Sequence, residues 1–111
     1  MATLFTRIIT GELPGEIIYE DERCVALRDI NPVAPTHILV IPREELPRLD
    51  EAREAHGALL GHLLLTAAQV AKQEGLSGFR TVINNGAEAG QTVFHLHVHV
   101  IGGRALQWPP G

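Results

Sequence analysis

Residues 93–101, VFHLHVHVI, repeat with a period of two, and the alternate positions 95, 97 and 99 are histidines. A strand sends successive side chains to opposite faces. Leu96, Val98 and Val100 therefore form an apolar set that secures the strand on a core, while His95, His97 and His99 line the other side. Imidazoles roughly 7 Å apart along one face repel one another when protonated, and each needs hydrogen-bond partners when neutral. Such a row marks a chemical site rather than an idle solvent face.

The remaining elements supply a sheet for this strand. Residues 3–10 place Leu4, Phe5 and Ile8 on one helical face before Gly11 and Pro14 end the run. EIIYE (16–20) and CVALRDI (24–30) read as a hairpin about "DER". HILVIP (37–42) is a buried strand whose ladder stops at Pro42, because proline has no N–H. Leu59, Leu63, Ala67 and Val70 recur at helical spacing within 54–74, and Gly75 supplies a left-handed stop. FRTVI (79–83) is a fourth strand. Together these predict an α+β domain with a five-stranded, mostly antiparallel sheet, one long helix and one short N-terminal helix. At 111 residues the chain is expected to be a single domain, 1–111.

Charge and composition exclude several roles. A net charge of −4 argues against a nucleic-acid partner, which needs a basic face. No window is long and apolar enough to span a bilayer, so no membrane role is expected. The N-terminus lacks the basic start and apolar run of a signal peptide, which makes the cytoplasm the expected compartment. The lone Cys24 cannot form an internal disulfide.

Two chemistries suit the histidine row. His37 and Cys24 could join His95 and His97 in a nitrogen and sulfur set for zinc, although no Cys-x-x-Cys or His-Glu-x-x-His spacing supports it. The preceding loop, NNGAEAGQT, favours phosphorus chemistry instead. It offers backbone N–H groups at Gly86 and Gly90 beside the amide of Gln91 and the hydroxyl of Thr92, a nest for an anion that needs no net positive charge. His56 and His62 are expected to pack or face solvent, and Cys24 to be a small buried hydrophobe. Trp108, in the tail RALQWPPG, needs something to bury it.

GQTVFHLHVHVIGGR resembles the signature of the histidine-triad (HIT) family. RIITGELPGEIIYEDERCVALRDINPVAPTHILVIP is similar to that family's N-terminal half, and GGRALQWPPG to the ending of its Hint branch. The resemblance implies a purine nucleoside phosphoramidate hydrolase acting through a covalent nucleotidyl-histidine. The alternatives are a dinucleoside polyphosphate hydrolase and a non-catalytic nucleotide- or zinc-binding protein. On the resemblance, His97 attacks phosphorus, His99 bonds the phosphate or leaving group, and His95 and His37 orient the site. Asn84, Gly90, Gln91 and Thr92 hold the phosphate, Asp29 binds the ribose, and Phe5, Ile8, Leu13, Leu27 and Ile30 enclose the base. Leu27 stands where relatives often carry an aromatic residue, which weakens stacking. No cofactor or metal is implied. The expected partners are a purine nucleotide and a second copy of the chain, with the two sheets joined edge to edge and each tail reaching the neighbouring site.

Overall fold

The computed structural model describes residues 1–111. Helix α1 (Leu4–Ile9) is started by Thr3, whose Oγ1 accepts the Thr6 N–H at 3.1 Å, and the chain leaves it through Gly11 at a left-handed φ of 84°. The strands are β1 (Ile17–Glu20), β2 (Cys24–Arg28), β3 (Thr36–Pro42), β4 (Phe79–Val82) and β5 (Val98–Gly102), with α2 (Gly57–Gln73) between β3 and β4. They form one antiparallel sheet in the order β1-β2-β3-β5-β4, the five-stranded α+β arrangement the sequence predicts.

Alternation along the central strands assigns the two faces. Cys24, Ala26, Ile38, Val40, Val98 and Val100 face α2 and pack on its Leu63, Ala67 and Val70. Leu27, Leu39 and Ile41 face the other way and pack on Phe5 of α1. Each fully buried aliphatic side chain contributes roughly 1.5 to 3 kcal/mol. The long helix secures one face of the sheet, and the short helix closes one end of the other.

The last strand is shorter than the two-residue period predicts, since β5 begins at Val98 rather than residue 93. Pro42 explains the difference. The β3–β5 register pairs Val40 with Val98, and continuing it would set Leu96 opposite Pro42, which has no N–H to donate. The Leu96 N–H instead donates to the Leu46 carbonyl at 2.7 Å. The alternation of faces survives the loss of the ladder, because Leu96 still joins Val98 and Val100 in the core against α2.

Candidate active site

The histidines meet α1 on the face opposite α2. His95 is fully buried: its Nε2 donates to the Pro42 carbonyl at 2.7 Å, so its Nδ1 accepts from the Thr3 hydroxyl at 2.6 Å. The Phe5 ring lies edge-on to His97, with centroids 4.9 Å apart, and also touches His95. His97 and His99 follow with centroids 5.0 Å apart, and His37 of β3 packs beyond His99 at 5.2 Å. His95, His97, His99 and His37 thus form a continuous row.

Hydrogen bonds fix which nitrogen of each ring carries the proton. His97 Nδ1 donates to the His95 carbonyl at 2.7 Å, which leaves the lone pair on Nε2. His37 Nδ1 accepts the Val33 N–H at 3.2 Å, so its proton lies on Nε2 and is donated to His99 Nδ1 at 2.9 Å. The proton of His99 must then lie on Nε2. That atom is buried and has no partner in the protein. A buried donor left unpaired is costly, and it marks a place where a ligand oxygen belongs. Burial holds His95 and His97 below the ordinary imidazole pKa and, with the neighbouring His97 and His37, pushes His99 down to about 4. At neutral pH these three rings are uncharged.

His97 and His99 border a cavity of about 410 Å³ that also takes in Asp29, Asn84, Gly90 and Thr92. Phe5, Ile8, Leu13, Leu27 and Ile30 wall its apolar end, joined by Leu4, Pro14, Leu39 and Val93. Asp29 Oδ1 accepts the Asn31 N–H at 2.8 Å, and its Oδ2 lies 3.5 Å from His37 Nε2. A larger concavity, about 620 Å³, lies between the α2–β4 loop and the chain after β5, and no residue of the row lines it. Its two arginines, Arg80 and Arg104, are bonded to backbone carbonyls, and it holds no histidine, cysteine or carboxylate.

The loop before the row is built differently from the expected nest. Gly86 and Gly90 adopt φ of 90° and 92° around a short turn at Ala87–Ala89, a conformation that favours glycine. Their N–H groups are already spent, Gly86 on Gln91 Oε1 at 2.7 Å and Gly90 on the Ala87 carbonyl at 3.0 Å. Gln91 does not reach the cavity: its N–H bonds Gly86, and its Nε2 bonds the carbonyls of Pro47 and Val93. Gln91 therefore shapes the loop, while the N–H groups of Thr92 and Val93, residues that do line the cavity, donate to no backbone carbonyl.

The mixed metal set of His37, Cys24, His95 and His97 does not form. Cys24 points to the α2 face, opposite the row, beside Asp21 and His62. Among the site residues, Asp29, His37 and His99 bring ligand atoms within 4.8 Å of one another. Three contributors had no sequence signal at this spacing: the Thr3 hydroxyl, the Val33 N–H and Asn31. Thr3 is recognisable in advance as a helix cap, but not as the partner of a histidine 92 residues away.

An antiparallel α+β domain with a histidine row beside an apolar and polar cleft defines a class, and comparison places the chain within it. The HIT domain family matches residues 10–106, and the chain belongs to that family. It is 58% identical over 110 residues to an uncharacterized HIT-like protein of Synechococcus elongatus, covering 98% of this chain and 96% of that one. A 14 kDa zinc-binding protein of Zea mays is 54% identical over 112 residues, 98% of this chain and 88% of its own. A HIT family hydrolase from Legionella pneumophila superposes with a TM-score of 0.96 at 41% identity, covering 99% of this chain and all of that structure.

Proposed function

We propose that the chain hydrolyses purine nucleoside phosphoramidates through a covalent nucleotidyl intermediate on His97. One observation carries this reading: the two imidazoles that border the cavity are fixed in opposite roles, His97 with a free lone pair on Nε2 and His99 with an unpartnered Nε2–H. A lone pair beside a donor suits attack on phosphorus, because the donor meets the charge that builds on the phosphoryl oxygens.

In the first displacement His97 Nε2 bonds to the α-phosphorus as the bond from phosphorus to the amine breaks. The amine leaves neutral, with a proton passed from solvent through the Thr92 hydroxyl. Water then attacks the same phosphorus and gives up a proton to solvent, the bond to Nε2 breaks, and a nucleoside monophosphate is released with His97 restored. Asp29 Oδ2 accepts from the ribose hydroxyls. The base lies among Phe5, Ile8, Leu13, Leu27 and Ile30, which offer no polar side-chain group, so adenine and guanine are held alike by shape. Asn84, Gly90 and Thr92 bound the phosphate.

A dinucleoside polyphosphate fits less well. Arg28 is the only cationic side chain at the cavity, and its guanidinium is bidentate on Glu74 at 2.8 and 3.1 Å with Glu16 at 3.1 Å. No cation is left over for a charged leaving group. The family likeness to a hydrolase and the free outer edge of β4, where a second sheet could pair, support hydrolysis by a homodimer. Activity is expected to survive chelation, which separates this reading from the zinc binding named for the maize relative.

His97→Ala should lower turnover of an adenosine phosphoramidate by about a thousandfold or more while nucleotide still binds. Acid-quenching the native protein with labelled substrate should leave label on a histidine. A mutant that turns over at the native rate, or label that never appears on protein, refutes the assignment.

A further inference from the structure

The sheet face opposite the histidine row carries a second convergence of ligating atoms that the hydrolysis does not use. Asp21, in the turn joining β1 to β2, Cys24 at the start of β2 and His62 on α2 bring a carboxylate oxygen, a thiol and an imidazole nitrogen within 4.8 Å of one another. His62 Nε2 lies 2.7 Å from Asp21 Oδ2, and Cys24 Sγ lies 3.8 Å from the same oxygen.

The surroundings hold these groups in place. Asp21 Oδ1 accepts the N–H groups of Arg23 and Cys24 at 2.8 and 2.9 Å, which turns Oδ2 toward the sulfur and the imidazole. Tyr19 donates its hydroxyl to that Oδ2 at 2.8 Å, and Arg43 Nε bonds the Asp21 carbonyl at 2.8 Å. Thr66 of α2, itself buried, sets its hydroxyl 3.7 Å from Cys24 Sγ, where it can donate to a thiolate. A hydrogen bond accounts for the Asp21–His62 pair. It does not account for the sulfur, which is fully buried and has only these two polar contacts, both long.

We propose that Asp21, Cys24 and His62 bind a zinc-class divalent ion. One oxygen, one nitrogen and one sulfur form a set of intermediate softness that favours zinc or cobalt over magnesium or calcium. Ordinary zinc bond lengths in a tetrahedron put nitrogen and oxygen about 3.3 Å apart and sulfur and oxygen about 3.5 Å apart. The nitrogen–oxygen pair must therefore open by roughly half an ångström, and the sulfur must close by a few tenths. Binding displaces the thiol proton to solvent and moves the His62 proton from Nε2 to Nδ1. The side chains of Asp21 and His62 are 23% and 29% exposed, so a water can complete the fourth position from outside. The backbone bonds on Asp21 and the Thr66 hydroxyl supply the outer support that metal ligands usually require. The ion fastens the β1–β2 hairpin to α2, on the opposite side of the sheet from His97.

The test is to strip the full-length protein with chelator and titrate it with cobalt(II) near neutral pH. Because Cys24 is the only cysteine, a thiolate-to-cobalt charge-transfer band in the near ultraviolet can come from no other residue. We expect that band to saturate at one equivalent and the melting temperature to rise with it. Cys24→Ser should abolish the band. His62→Gln, on a partly exposed helix position, should weaken binding by more than about tenfold, and His37→Ala should leave both readouts unchanged. No binding, or bound cobalt without the thiolate band, overturns the proposal; cobalt lost in His37→Ala but kept in His62→Gln would assign the ion to the row instead. Neither result bears on the labelling of His97, so the two readings fail separately.

Discussion

At the scale of single residues, the decisive feature is that His97 and His99 present opposite ends of the same functional group to one cavity. The difference originates in backbone atoms: the His95 carbonyl takes the proton of His97, and the Val33 N–H occupies His37 so that His99 must keep its proton on the cavity side. This arrangement requires neutral rings, and its pH dependence follows. The folded pKa of His99, about 4, lies below the ordinary 6.5 expected of the unfolded chain, so the folded state binds fewer protons between those values. Stability associated with the neutral ring is fully present above about 6.5 and is lost as the pH falls toward about 4. Denaturant unfolding measured across that window should show native stability falling more steeply with acid than in His99→Gln, the difference reaching at most about 1.4 kcal/mol per pH unit. Equal slopes would mean that the ring is not depressed.

At the scale of elements, α1 is short, yet it carries both the wall of the apolar slot and the clasp on the first histidine. Thr3 caps the helix, bonds His95 through its hydroxyl and bonds Glu45 Oε2 through its N–H at 2.9 Å, while Thr6 Oγ1 bonds the same carboxylate at 2.5 Å. The clasp holds Phe5 against His97. Thr3→Val should lose the cap and leave His95 Nδ1 unpaired, at a combined cost of about 2 kcal/mol by denaturant unfolding. Turnover should fall with it, and Thr3→Ser should restore both. A valine variant as stable and active as the parent would show that α1 is held by Phe5 alone. The helix itself was legible from the spacing of Leu4, Phe5 and Ile8 before Gly11, but the clasp was not, because its partners lie 42 and 92 residues away. The same division runs through β5. Its alternation placed three imidazoles on one side and three aliphatics on the other, whereas its start at Val98 depended on which residue of β3 stood opposite. The proline that ends β3 was visible; that its missing N–H would also end the neighbouring strand required the register. The loop at Gly86 and Gly90 was legible as glycine-requiring, but side-chain bonds from Gln91 decided which N–H groups remained free. Cys24 was legible as buried, and only the fold brought it to Asp21 and His62.

At the scale of the whole molecule, the sheet is open at both edges, β1 on one side and β4 on the other. β4 pairs only with β5, and Phe79 at its start is 41% exposed. The C-terminal tail lies along the same side, held where Arg80 Nη2 donates to the Gln107 carbonyl at 2.7 Å. Beyond that anchor Trp108 is 81% exposed, an uncommon position for the largest apolar side chain, and no tail residue lines the cavity of its own chain. If a second copy pairs along β4, each tail emerges beside its partner, which gives the indole something to cover. Light scattering should then report a dimer. Removing residues 108–111 should leave the affinity for free nucleoside monophosphate nearly unchanged, because the base slot, Asp29 and the histidine row all lie within one subunit. Discrimination among amine leaving groups should change instead, with the kcat/KM ratio of a bulky to a small amine shifting by about fivefold, the equivalent of about 1 kcal/mol. A monomeric native protein, or a truncated one whose nucleotide affinity falls as much as its leaving-group discrimination, would place the tail outside the site.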